Sequence, residues 1–131
     1  MRAKGQLAPG ADEIEALARA AMERLPEAFR RHLEGVLLIV EDFADDEILD
    51  AMEIEDPFDL SGLYHGRPIG EAAQTGDMPA TIRLFRRPIL DEWAAGGESL
   101  DHLVSHILVH EVGHHFGLSD ADMHALEEAA G

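Results

Sequence analysis

The residues from His110 to Asp120 read H-E-x-x-H-x-x-G-x-x-D, and their types and spacing are those of a site that holds a metal ion beside a base. On a helix, His110 and His114 lie four positions apart on one face, so two imidazoles can share one ion. Glu111 sits one position round, close enough to hold a water at that ion without ligating it. Gly117 suits the left-handed conformation that ends a helix, and the turn it allows would bring Asp120 back toward the histidines. Three protein ligands, one open position and an adjacent carboxylate make the layout of a catalytic zinc site. The full pattern is expected in only about one shuffled chain in two thousand, so coincidence is a poor account of it.

Other histidines surround the motif. His102, His106, His110 and His114 form an i, i+4 ladder. His102 and His106 could make a second two-ligand site, but His106 is expected to support the first or to pack beside a sheet, and His102 to be exposed. His115 is rotated by about 100° from His114 and cannot share its metal. His65 is read as a loop residue, and His124 as a neighbour of the motif.

Periodicity supplies the elements that must carry this site. Asp12 caps a first helix with Ile14, Leu17, Ala18, Ala21 and Leu25 on its apolar face. Pro26 kinks it or starts a short second helix that Gly35 ends. Val36 to Val40 is a continuous apolar run, hence a central strand. Asp45 to Met52 forms an acidic helix burying Ile48, Leu49 and Met52, and Asp56-Pro57 breaks it. Leu60 to Tyr64 is a short strand, Gly76 to Pro79 a turn, and Ala80 to Arg87 a third strand stopped by Pro88. A helical turn surrounds Trp93. Ser99 then caps the long helix of the motif, with Leu100, Leu103, Val104, Ile107 and Leu108 inward. Ser119 caps a last helix that carries Met123 as core. This order implies an α+β fold with a short mixed β-sheet packed on the active-site helix. Residues 1–11 are expected to be a disordered N-terminal segment and 12–131 one domain.

Composition narrows the partners. The chain has 131 residues, no Cys and a formal net charge of −17. Disulfides and thiolate metal sites are excluded, and nucleic acid and anionic membranes are repelled. No leader-like or spanning apolar run is present, so a cytoplasmic protein is the expectation. Between Glu41 and Asp59 lie ten acids and no Lys or Arg, read as a solvated face because the run lacks the spacing of a calcium loop. Arg83, Arg86 and Arg87 could draw in a carboxylate-bearing substrate or line a solvated strand edge.

Taken with Val36 to Asp42, Leu60 to Gly66 and Ile82 to Leu90, the motif makes the chain resemble the minimal bacterial zincin-like metallopeptidases, a family formerly listed as a domain of unknown function. The likeness runs from about Asp12 to Leu126. It implies Zn2+ as cofactor, His110, His114 and Asp120 as its ligands, Glu111 as catalytic base, and a peptide or protein as substrate. It also implies that the strand before the active helix, here Ala80 to Phe85, pairs with an extended substrate. Tyr64 and Arg83 are candidate oxyanion or substrate contacts. Two features depart from the metzincin pattern: Asp replaces His as third ligand, and the Met-containing turn below the metal is missing. The lower wall of the cleft is therefore expected to be small or completed by a partner. The alternative is a non-catalytic metal-binding or protein-interaction module on the same scaffold, with Asp45, Asp46 and Glu47 on its docking face.

Overall fold

Apolar side chains at helical spacing draw two helices onto one face of a three-stranded sheet, and the motif rides on the second of them. The computed structural model describes residues 8–66 and 79–119, with residues 121, 122, 124, 125 and 128 beyond. In chain order the elements are α1 (Ala11–Glu23), α2 (Glu27–Arg30), β1 (Leu37–Glu41), α3 (Asp46–Ala51), a 3-10 turn (Pro57–Asp59), β2 (Gly62–His65), β3 (Thr81–Phe85), α4 (Arg86–Ala95) and α5 (Leu100–Phe116). The fold is a small α+β domain with a mixed sheet of order β1-β3-β2. Strand β1 is parallel and β2 antiparallel to the central β3.

Side-chain alternation along β3 divides the interior in two. Ile82 and Leu84 face α1 and α5 in a core with Ile14, Ala18, Leu108 and Val112. Phe85 points to the other face, where it packs with Ala44, Leu49 and Leu60. Thr81 and Arg83 share that second face by the same alternation.

Several expectations are corrected. The run Val36 to Val40 does not form a central strand. It forms β1, at the sheet edge, where Leu37 is half exposed because only the α1 face is covered. Arg86 and Arg87 leave the third strand and open α4, which places Pro88 in a first helical turn, where its missing N–H costs nothing. Met52 is exposed at the end of α3. The first helix begins at Ala11 with Gly10 as its N-cap, and the Pro9 carbonyl accepts from Arg86 Nε at 2.7 Å. The turn placed at Gly76 to Pro79 lies largely outside the described residues, as does Met123. Among the described residues, no helix is long and apolar enough to cross a membrane.

Candidate metal centre

Helix α5 is buried almost all round, and its exceptions are the histidines. Ser99 starts it by accepting from the His102 N–H at 3.1 Å, and Gly117 ends it in the left-handed region at φ 65°. From His102 to His115 the exposed positions are His102, His106, His110 and His114, with three buried residues between each. One helical step away runs a covered stripe of Ile107, Glu111 and His115, each less than a tenth exposed. Strand β2 is what covers it. The ladder therefore emerges beside the sheet edge, with its carboxylate neighbour tucked beneath that edge.

His110, Glu111 and His114 offer ligand atoms that all lie within 4.8 Å of one another, and the two imidazole rings have centroids 4.9 Å apart. Two exposed neutral donors next to a carboxylate suit a divalent cation. Burial pushes the Glu111 carboxyl up to about 7, against a smaller downward pull from a backbone hydrogen bond donated by Tyr64. An uncharged carboxyl is the cheaper state in such a place; a nearby cation would reverse that preference. A cleft of about 360 Å³ opens along this side, bordered by Gly62, His106, His110 and Glu111.

Strand β2 fits closely over α5 because residue 62 has no side chain. A Cβ built at Gly62 would lie 2.8 Å from Ile107 Cγ2 and 3.4 Å from Glu111 Oε2. The Ser61 carbonyl accepts from the Phe85 N–H at 2.9 Å, so the main-chain groups of Ser61, Leu63 and His65 turn toward β3. Those of Gly62 and Tyr64 turn outward, away from β3, and the Tyr64 N–H meets the Glu111 carboxylate. Gly62 is the site residue that reading for chemical function passes over, since glycine offers no reactive group. Its sign in the sequence is a glycine inside a short strand, Gly62–His65.

The resemblance placed Ala80 to Phe85 on the substrate side, but the topology puts β3 at the centre of the sheet. Strand β3 is hydrogen-bonded on both sides; among the described residues β1 and β2 are the edge strands, and β2 is the one that lies over α5. Arg83 is not brought to the site. It lies on the opposite sheet face, with its Nε 3.5 Å from Glu41 Oε1. Arg86 contacts Asp42 at 3.4 Å, and the Arg87 guanidinium lies 6.0 Å from the centre of the Phe43 ring. The three arginines thus face the start of the acidic run rather than the cleft. Tyr64 does lie beside the motif, but its hydroxyl is 2.8 Å from His115 Nδ1. His102 contacts Glu98, and His124 lies 3.3 Å from Glu128. Asp120 lies outside the described residues; Ser119 Oγ accepts from the Asp122 N–H at 3.2 Å, as expected of a cap.

A helix with two metal-competent imidazoles and a buried carboxylate, set beneath a sheet edge, defines a class of metal-site protein. The family model for zincin-like metallopeptidases matches residues 33–130. The chain belongs to that family. No curated protein matches it significantly.

Proposed function

We propose that the protein is a zinc-dependent peptidase acting on an extended peptide segment. One observation carries this reading: Glu111 is buried beneath strand β2 while the imidazoles on either side of it in sequence are exposed. A purely structural ion has no need of an uncoordinated carboxylate held there.

His110 and His114 would hold the ion, and Asp120 is the third ligand the sequence supplies. The ion would contribute polarisation of the scissile carbonyl and activation of a water. Glu111 takes the proton of the attacking water and passes it to the departing amine. Burial raises the affinity of this carboxyl for a proton in the metal-free protein, and an ion at His110 and His114 would lower it again. The outward main-chain groups of Gly62 offer an extended peptide a short stretch of strand edge to pair with.

The test is cleavage of an unbiased peptide library by zinc-loaded wild type and Glu111→Gln. The expected result is cleavage that falls by about 10²–10⁴-fold in the variant while zinc binding persists. Equal cleavage by both, or none by either, overturns the reading and favours the non-catalytic module. Asp120→Ala is expected to weaken zinc binding about as much as His114→Ala does. A negligible loss removes Asp120 from the ligand set.

A further inference from the structure

Tyr64 touches the motif helix twice. Its backbone N–H donates to the Glu111 carboxylate, and its hydroxyl meets His115 one turn later. His115 is itself fixed from the other side, with Nε2 3.3 Å from the His32 carbonyl. A carbonyl can only accept, so Nε2 carries the proton and Nδ1 is left to accept from the tyrosine. The imidazole is packed edge-on against Phe116, with ring centroids 5.5 Å apart, and Phe116 against Phe29 at 4.9 Å. Gly66, at φ +148°, lets the chain pass close over the hydroxyl; a Cβ there would lie 2.9 Å from it.

The inner side of β2 is bonded to β3, while its outer side meets α5 through Gly62 and Tyr64. Without a second anchor, the β2 edge would breathe, and the Glu111 carboxylate would breathe with it. We infer that Tyr64 is the positioning residue of the site: its hydroxyl, gripped by His115, fixes the height of the β2 edge over α5, and its N–H thereby aims the Glu111 carboxylate. The geometry of the base is then set by a side chain that need not touch substrate. Tyr64 is a brace rather than an oxyanion donor, and His115 is the post it is tied to.

The consequence for turnover rests on the peptidase reading, whereas the consequence for the strand does not. In metal-free protein, amide hydrogen exchange at residue 64 is expected to quicken by at least about tenfold in Tyr64→Phe. Leu63 and His65, which face β3, should change little. Glu111→Ala marks the rate of a released amide. His115→Phe should reproduce the effect of Tyr64→Phe, and the double variant should be no worse than either alone. Unchanged exchange at residue 64, or equal quickening along all of β2, overturns the inference. In zinc-loaded enzyme, Tyr64→Phe should lower kcat about tenfold, with KM and zinc affinity within about twofold. Wild-type kcat in that variant overturns the positioning role. If wild type cleaves no peptide, the peptidase reading falls and the exchange experiment alone judges the brace.

Discussion

The two halves of the histidine ladder share residue type, spacing, helix face and exposure, yet they stand in different company. His110 and His114 flank a carboxylate buried under β2, and the three offer convergent ligand atoms. His102 and His106 lie a turn or more earlier, where His102 contacts Glu98 on its own side of the helix. Among the described residues, the only convergent group of His, Asp and Glu is the one at His110. Spacing on a helix is thus a necessary condition for a metal pair and a weak discriminator. What distinguishes the pairs is the covered residue beside them, Leu103 and Ile107 for the first and Glu111 for the second.

The sharpest way to break this comparison is to remove each histidine in turn. His110→Ala and His114→Ala should weaken zinc binding by at least about 100-fold, more than loss of an outer partner costs. His102→Ala and His106→Ala should stay within about threefold. Calorimetric titration checks all four, and a large loss at His106 would show that the ladder acts as one unit.

The covered side of the comparison has its own test, through pH. The Glu111 carboxyl titrates at about 7 in the folded protein against 4.5 as its ordinary value. The folded state therefore holds the proton more tightly, and this group's contribution to stability declines as pH rises from 4.5 to 7. In metal-free protein, the stability difference between Glu111→Gln and wild type should be small near pH 5. It should grow to about 3 kcal/mol in favour of the variant by pH 8. Denaturant unfolding at both values measures it; a difference independent of pH would mean that the carboxylate is well solvated.

Gly62→Ala tests the fit that creates the covered stripe. The added methyl meets the stiff branch of Ile107, and the cost is expected to be about 1–3 kcal/mol, read as a lowered unfolding midpoint. No loss would mean that β2 does not press on α5. The smallest effect is expected at the exposed end of the ladder. His102→Ala should change stability by less than about 0.5 kcal/mol, because its contact with Glu98 is open to solvent.

Part of this architecture is legible in the amino-acid sequence. The long helix, its Ser99 cap and its Gly117 stop follow from local chemistry, since capping and left-handed turns involve only near neighbours. The apolar face of α1 is legible for the same reason, whereas Asp45, expected inside α3, stands as its cap, with Oδ1 accepting from the Ile48 N–H at 2.8 Å. Strand position is not. A continuous apolar run looks central, yet β1 is an edge, because burial of a strand depends on what packs against each side, and a run of residues carries no record of that.

The sequence by itself determined that His110 and His114 share a helix face with Glu111 one step round, because helical periodicity converts spacing into direction. It also determined that no thiolate can serve a metal site here, since there is no cysteine. Only the tertiary structure decided which strand lies over the site, and it is β2, with β3 at the centre of the sheet. It alone placed Arg83 across the sheet, and it alone joined Tyr64 to His115 across 51 positions of chain. Those outcomes depend on strand order and on which sheet face meets α5. They arise from the collective burial of residues far apart in sequence, so no local pattern could encode them in readable form.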